Sequence, residues 1–350
     1  MEVSELLAFT VKNKASDLHL SSGEPPMIRI NGDMTRIKMP DIDKREVQNM
    51  VYDIMTDVQR KTFEELLEID FSFSLGDIAR FRVNVFEQRR GIGAVFRVIP
   101  NEILTLDQLN CPQIFRDIAM TARGICLVTG PTGSGKSTTL AAMVDHRNNS
   151  EHGHILTIED PIEFVHRSKN SLISQRELGP HTHSFANALR SALREDPDVI
   201  LIGELRDLET IRLALTAAET GHMVFGTLHT SSAPKTIDRI IDVFPAAEKE
   251  MVRSMLSESI RAIISQTLIK TADEQGRVAA HEILLGTPAV RNLIRENKIA
   301  QMVSVMQTSA RDGMQTLDSH LQQLVKSRKI TLQAALEKAA NKKLFGGGMV

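Results

Sequence analysis

The chain has 350 residues, which suits about two domains, and its 42% hydrophobic and 25% charged residues predict a substantial core beneath a charged surface. A formal net charge of −2 argues against a nucleic-acid-binding protein, because such proteins normally carry a basic excess. Two cysteines are too few for a disulfide framework or a four-cysteine zinc site. No signal peptide and no apolar run long enough to span a bilayer is visible, so we expect a cytoplasmic protein without a transmembrane segment.

Residues 1–99 have the pattern of an α+β domain. Apolar residues recur at helical spacing in two segments and alternate in five short ones, and Asn31-Gly32 and Gly76-Asp77 supply turns. The predicted elements are helices at 2–14 and 43–67 and strands at 17–20, 27–30, 69–75, 79–87 and 92–98. Residues 100–112, bounded by prolines, are predicted to be a linker.

From residue 113 onward, apolar strands alternate with helices, which predicts a parallel sheet covered on both faces. The predicted strands are Gly124–Thr129, His154–Glu159, Val199–Gly203 and Met223–Leu228, and the helices between them lie at about 184–194 and 207–220.

The chain after Pro245 is predicted to be mostly helical. A stripe at helical spacing consists of Met251, Met255, Ile260, Ile263 and Ile264. Arg277–Leu285 is predicted to be a strand. C-terminal helices are expected within about 286–341, near 288–297, 312–327 and 331–340, and the glycine-rich residues 346–350 are expected to form a flexible tail. We therefore expect one second domain over residues 113–350.

A glycine-rich loop between the first apolar strand and the following helix matches G-x-x-x-x-G-K-[ST], a phosphate-binding motif. Its glycines let the backbone close around phosphate oxygens, Lys136 can reach the β- and γ-phosphates, and the Ser137 hydroxyl can ligate Mg²⁺. A glycine-rich turn with a surface lysine is the weaker alternative, because the strand and helix that the motif requires are both predicted. The expected ATP-binding residues are Gly130, Pro131, Thr132, Gly133, Ser134, Gly135, Lys136, Ser137 and Thr138.

Carboxylates follow two of the other predicted strands. Glu204 ends the apolar run that starts at Asp198, which is the Walker B arrangement with glutamate as the acid. It can bind Mg²⁺ directly or through water. Glu159, Asp160 and Glu163 cluster after another strand, where an acid could orient and deprotonate the attacking water. A solvated acidic loop is the alternative interpretation of this cluster.

Histidines and arginines provide further candidates. His222 and His229 flank the strand Met223–Leu228, although a lone histidine at a strand end is more often structural. The first domain carries Arg80, Arg82, Arg89, Arg90 and Arg97 on or beside its last strands. These arginines could neutralise a γ-phosphate, or they could form a solvated basic edge that discourages strand pairing.

Together these motifs resemble the type II/IV secretion ATPase superfamily and, within it, the retraction ATPases of type IV pili. The resemblance covers nearly the whole chain. It is carried by Ala15–Leu20, the phosphate-binding loop, the aspartate box Ile158–Glu163, Leu189–Asp207, the histidine box Thr220–His229 and Ala289–Glu296. The last of these is similar to the AIRNLIRE motif of the retraction subfamily, with Val290 in place of isoleucine.

The resemblance implies a homohexamer whose subunits have an N-terminal PAS-like domain and a RecA-like ATPase domain, with nucleotide between them. It implies that Glu163 is the catalytic glutamate and Glu204 the Walker B acid. His229 would sense the γ-phosphate, and His222 would couple the site to domain motion. The family's N-terminal arginines correspond best to Arg80, Arg82 and Arg97. The implied partner is an inner-membrane, PilC-like platform protein, which the motor would meet at the cytoplasmic face of the membrane.

Three alternatives are open. A pilus or pseudopilus assembly ATPase of the same superfamily typically has an extra N-terminal domain and a four-cysteine zinc insertion, which this sequence lacks. An adaptor that binds ATP without hydrolysing it is disfavoured by the full set of acids and histidines. A nucleic-acid translocase is disfavoured by the mild net charge and by an aromatic content of 4%.

Overall fold

The structure is a computed structural model that describes residues 2–30, 32–76, 78–99 and 102–345. The chain divides into two compact units. The first comprises Met1–Glu102 and Glu163–Val165, and the second comprises Ile103–Ile162 and His166–Val350. Part of each turn predicted at Asn31-Gly32 and Gly76-Asp77, the start of the predicted linker and the predicted tail at 346–350 lie outside the described residues.

The first unit is an antiparallel sheet of six strands in the order β3-β2-β1-β6-β5-β4. Its helices are α1 (Val3–Lys12), α2 (Lys44–Tyr52) and α3 (Asp57–Leu66), and its strands are β1 (Asp17–Ser21), β2 (Met27–Ile30), β3 (Asp33–Arg36), β4 (Glu68–Leu75), β5 (Ala79–Gln88) and β6 (Gly91–Ile99). One face of the sheet is apolar, and Leu18, Phe81 and Phe96 on it are buried with Leu7 of α1 and Val51 of α2.

The single helical region predicted at 43–67 is in fact two helices. Each begins with a capping box, in which the N-cap side chain and the side chain three residues later satisfy each other's backbone N–H groups. Asp43 and Glu46 form the first box, and Thr56 and Gln59 form the second. The second box starts a new helix at Asp57, so the periodicity of residues 43–67 is divided between two helix axes.

The second unit contains a seven-stranded sheet in the order β13-β12-β7-β11-β10-β8-β9. Its strands are β7 (Gly124–Thr129), β8 (His154–Glu159), β9 (Leu172–Glu177), β10 (Val199–Ile202), β11 (Met223–Leu228), β12 (Ile260–Lys270) and β13 (Arg277–Leu285). Its helices are α4 (Ile114–Ala119), α5 (Lys136–Ser150), α6 (Phe185–Ala192), α7 (Leu208–Glu219), α8 (Ala233–Asp242), α9 (Lys249–Ser259), α10 (Pro288–Arg295), α11 (Met302–Thr308), α12 (Leu317–Lys326) and α13 (Leu332–Lys338).

One prediction about this sheet was wrong: residues 260–270 form a strand, not a continuation of the predicted helix. The four strands that were predicted to form a parallel sheet, β7, β8, β10 and β11, are parallel. The whole sheet is mixed, because β12 runs parallel to β7 and antiparallel to β13. Sequence analysis also missed β9, a partly exposed strand that pairs in parallel with β8.

The topology gathers the candidate site at one edge of the sheet. β7, β8, β10 and β11 are parallel, so their carboxyl ends open at the same edge. The phosphate-binding loop follows β7, the acidic segment follows β8, Glu204 follows β10 and His229 follows β11. Among the described residues, no helix is long and apolar enough to cross a membrane.

Candidate active site

The loop between β7 and α5 is shaped by glycines with positive φ. Gly130, Gly133 and Gly135 have φ angles of 144°, 76° and 85°, which residues other than glycine rarely adopt. A Cβ on Gly130 would lie 2.2 Å from the backbone oxygen of Gln266 on β12. The loop therefore needs glycine at this position for two reasons, since both the backbone angle and the close packing against β12 exclude a side chain.

Lys136 begins α5 and is buried, with its ammonium turned back onto the loop. Its Nζ donates to the carbonyl oxygens of Gly130 at 2.9 Å and Pro131 at 3.2 Å. The Oγ of Ser134 is buried, and within the described part of the chain it neither donates nor accepts a hydrogen bond. A buried hydroxyl without a partner is costly, so the loop is suited to a polar ligand that supplies one.

Glu204 connects the ends of β10 and β11. One of its oxygens is 2.7 Å from Nη2 of Arg206, and the other is 3.3 Å from Nε2 of His229. Burial alone would raise the pKa of Glu204, but the hydrogen bond and positive charge of Arg206, together with the interaction with His229, outweigh it and lower that pKa. Glu204 is therefore an ionised carboxylate at neutral pH, as an oxygen ligand for Mg²⁺ must be.

The acidic segment after β8 contains three carboxylates in different environments. Glu159 accepts hydrogen bonds from Oγ1 of Thr157 at 2.6 Å and Nε2 of Gln175 at 3.1 Å. The Asp160-Pro161 peptide bond is cis, and both Asp160 and Glu163 are exposed. Glu159 is thus held against the sheet, whereas Asp160 and Glu163 are accessible to solvent.

A buried carboxylate supports this segment from β9. Glu177 is 3% exposed, and its Oε2 accepts a hydrogen bond of 3.0 Å from the backbone N–H of Ile162. Because Ile162 immediately precedes Glu163, Glu177 fixes the backbone from which Glu163 projects. Sequence analysis missed Glu177, since it belongs to a strand that was not predicted.

His222 and His229 occupy opposite ends of β11. His229 is 45% exposed at the carboxyl end, where it meets Glu204. His222 lies just before the amino end, with its Nδ1 3.0 Å from the carbonyl oxygen of Ala217. Six strand residues separate the two rings, which corresponds to roughly 20 Å. The structure therefore brings His229, but not His222, to the edge where Glu204 lies.

The candidate arginines share one face of the first unit's sheet. Arg82 of β5 and Arg97 of β6 are directly opposite each other, and Arg80 precedes Arg82 by two residues on the same strand. Arg97 donates from Nε to Oδ1 of Asp17 at 2.9 Å, and Arg82 is 3.8 Å from Asp70. Each of the two opposed arginines thus has an acidic neighbour, which offsets the repulsion between them.

A cavity of about 1010 Å³ lies beside the phosphate-binding loop, within the second unit. Gly135, Thr138 and Thr139 form its wall next to the loop, and Gln266 and Leu268 of β12 form another part. The cavity is large enough for the nucleoside part of a nucleotide. Sequence analysis missed Gln266 because a single glutamine in a strand matches no motif.

The comparisons with known proteins agree with these observations. Residues 2–343 match the family described as Type II/IV secretion system protein. The chain is 63% identical to the type IV pilus retraction ATPase PilT of Pseudomonas aeruginosa, over 97% of this chain and 98% of that one. It is 62% identical to a twitching motility protein of Neisseria gonorrhoeae, over 94% of this chain and 89% of that one.

A solved structure shows the same fold. The crystal structure of the pilus retraction motor PilT with bound ADP superposes with a TM-score of 0.92 at 46% identity, and the match covers 98% of both chains. The predicted α/β class is thereby confirmed. One conclusion follows from the phosphate-binding loop, the acids at the carboxyl edge of the sheet and the match over nearly the whole length: this chain belongs to the type II/IV secretion system protein family.

Proposed function

We propose that this protein is an ATP-hydrolysing hexameric motor that drives the retraction of type IV pili. The observation that carries the proposal is the 63% identity to a type IV pilus retraction ATPase over 97% of this chain. Identity at this level, over 98% of the relative's length, supports the same activity and not only the same fold. The glycine loop and the ionised Glu204 are the local features that the activity requires.

ATP would bind at the loop between β7 and α5, through Gly130, Pro131, Thr132, Gly133, Ser134, Gly135, Lys136, Ser137 and Thr138. The backbone N–H groups at the start of α5 would bind phosphate oxygens, and Lys136 would exchange its two carbonyl partners for phosphate. The Oγ of Ser134 would gain the partner that it lacks. The cavity beside Thr138 would accept the nucleoside.

Ser137 and Glu204 would hold Mg²⁺, with Glu204 acting partly through water. A hydroxyl and an ionised carboxylate are suitable donors, because Mg²⁺ prefers oxygen ligands and retains several waters. When bound, the ion neutralises charge on the phosphates. Arg206 and His229 keep Glu204 ionised and oriented at the end of β10.

Glu163 would orient the attacking water and accept its proton. Its exposed position after Ile162, whose N–H is fixed by Glu177, supports this role over a role for the hydrogen-bonded Glu159. His229, paired with Glu204, would respond to the γ-phosphate. His222, at the other end of β11, would transmit that response to domain motion.

The positive charge that completes the site would come from Arg80, Arg82 and Arg97. They share one sheet face, with Arg82 directly opposite Arg97, and this concentration of guanidinium groups supports binding of phosphate. The proposed partners are five further copies of the chain and a PilC-like platform protein. The motor would work in the cytoplasm, at the cytoplasmic face of the inner membrane, as a peripheral component that binds no nucleic acid.

Phosphate release by the purified protein tests the enzymatic part of the proposal. We expect ATP-dependent phosphate release by the wild type and none above background by Lys136→Ala, because the variant loses the cation that compensates phosphate charge. Lys249→Ala is the matched control, since Lys249 is a surface lysine paired with Asp242. A wild type that binds ATP without releasing phosphate would instead identify an adaptor.

A further inference from the structure

β12 carries a buried amide at a position where an apolar residue would be expected. Ala262, Ile264, Gln266 and Leu268 alternate along β12 and therefore lie on one face. Ala262 and Ile264 are buried in an apolar cluster that includes residues of α5. Gln266 continues this row at the level of the phosphate-binding loop and is only 4% exposed.

The amide of Gln266 is bound at both ends by the loop and its helix. Nε2 donates a hydrogen bond of 2.6 Å to the backbone oxygen of Ser134, and Oε1 accepts one of 2.9 Å from Oγ1 of Thr139. The carbonyl of Ser134 can only accept, which fixes the orientation of the amide. One side chain thus links the loop to the first turn of α5.

The backbone of Gln266 contacts the loop at a third point. Its carbonyl oxygen is the atom that a Cβ on Gly130 would meet at 2.2 Å. Just before this point, Ser265 of β12 is paired with Thr129 of β7, and their hydroxyl oxygens are 2.6 Å apart. Gln266 therefore contacts the loop at Gly130 and Ser134 and the first turn of α5 at Thr139.

We infer that Gln266 is a positioning residue for nucleotide binding, which sets the conformation of the phosphate-binding loop from the neighbouring strand. The inference rests on the proposed function, because it assumes that the loop binds the phosphates of ATP. Gln266 acts by holding the Ser134 peptide between Gly133 and Gly135, so that the adjacent N–H groups keep their direction. Small displacements of groups that bind a reacting ligand are costly in rate and affinity.

A purely structural role for Gln266 predicts a different result from a positioning role. Loss of a buried amide in the core lowers stability wherever it occurs, because its partners are left without hydrogen bonds. Loss of an amide that sets the loop also weakens nucleotide binding in protein that is still folded. The loop contacts phosphates before and during the reaction, so the KM for ATP should rise more than kcat falls.

The chain offers a matched control in Asn148, a fully buried amide near the other end of α5. Its Nδ2 donates to the carbonyl oxygen of Arg167 at 2.8 Å, and its Oδ1 accepts from the N–H of Lys169 at 3.0 Å. Asn148→Leu removes one donated and one accepted hydrogen bond, as Gln266→Leu does, without touching the loop.

The experiment measures the dissociation constant for ADP, the KM for ATP and the kcat of the purified full chain. For Gln266→Leu we expect a roughly tenfold rise in both the ADP dissociation constant and the KM. Asn148→Leu should leave both within about twofold of wild type while lowering the melting temperature. Gln266→Glu keeps the acceptor for Thr139 but loses the donor to Ser134, so it should also bind ADP more weakly and provides a second test if the leucine variant does not fold.

Unchanged ADP binding in folded Gln266→Leu or Gln266→Glu would overturn the inference. An equal loss of ADP binding in Asn148→Leu would overturn it as well, because general destabilisation would then explain the effect. Failure of the proposed function gives a separate result: the wild type would bind ADP without hydrolysing ATP, and the comparison of ADP affinities would still decide the role of Gln266.

Discussion

Glu204 is the residue that links two loops at the carboxyl edge of the sheet. It shares its two oxygens between Arg206 and His229, so the conformations of the loops after β10 and β11 depend on one carboxylate. Sequence analysis identified Glu204 and His229 but not Arg206, which lies two residues after Glu204 and four residues beyond the end of β10. A change at His229 would therefore remove one of the two partners that orient the proposed magnesium ligand.

Glu163 is the residue whose role is tested most simply. Glu163→Gln preserves size and hydrogen bonding but removes the group that accepts a proton from water. We expect ATP binding to be retained and turnover to fall by about 10²- to 10⁴-fold, the usual contribution of a general base. Phosphate release and ATP binding, measured on the same preparation, check this.

The control for this substitution is Glu209→Gln, which changes an exposed glutamate at the start of α7. It should leave turnover unchanged. Normal turnover in Glu163→Gln would exclude Glu163 as the base and would make Glu159 the next candidate for that role.

Residues that belong to an ordered motif could be predicted from the sequence, whereas residues that act through tertiary contacts could not. The loop Gly130–Ser137 has fixed spacing and a required strand and helix around it. Gln266 and Glu177 contact the site from strands that lie far away in sequence. The neighbouring sequence does not distinguish either residue from other polar residues. Only the folded sheet brings them to the loops that they support.

At the scale of elements, the clearest error of the sequence analysis concerns β12. Ile260, Ile263 and Ile264 are spaced as on a helix, but all three are buried in a strand that has packed elements on both faces. A short apolar run buried on both sides has no two-residue alternation, so its pattern cannot distinguish a strand from a buried helix. By contrast, β7, β8 and β11 of the parallel core were predicted at their observed bounds, and β10 was predicted one residue too long.

β13 and α12 are joined by two histidines, and this contact predicts a dependence of stability on pH. The rings of His281 and His320 are stacked with centroids 5.6 Å apart, and His320 accepts a hydrogen bond from the backbone N–H of His281. Burial, with a smaller contribution from His320, lowers the pKa of His281 to about 3. Burial also lowers the pKa of His320.

Both rings are therefore neutral in the folded protein, whereas they bind protons in the unfolded chain below about pH 6.5. Their contribution to stability is complete above that pH and is lost as the pH falls toward the folded values. We expect the free energy of unfolding to decrease by on the order of 3 kcal/mol between pH 6.5 and 4 because of His281. His281→Phe, which keeps an aromatic ring against Phe115, should show a shallower decline in melting temperature over that range.

His152, an exposed histidine, supplies the control. His152→Gln should decline with pH as steeply as the wild type. If His281→Phe also declines as steeply as the wild type, the buried ring does not account for the acid sensitivity.

At the scale of the whole molecule, the similarity to known proteins extends across both compact units. The match to PilT with bound ADP covers 98% of this chain, so the first unit with its arginines is included as well as the second unit with its loop. Length, composition and charge predicted about two domains and disfavoured nucleic acid as a partner, but they contained no information about a motor.

The phenotype of a strain that lacks the gene tests whether this protein retracts type IV pili. We predict excess surface pili and lost twitching in this strain, and we expect the wild-type gene, but not the Lys136→Ala variant, to restore twitching. Cells without surface pili would contradict retraction, because they would show that the protein assembles pili.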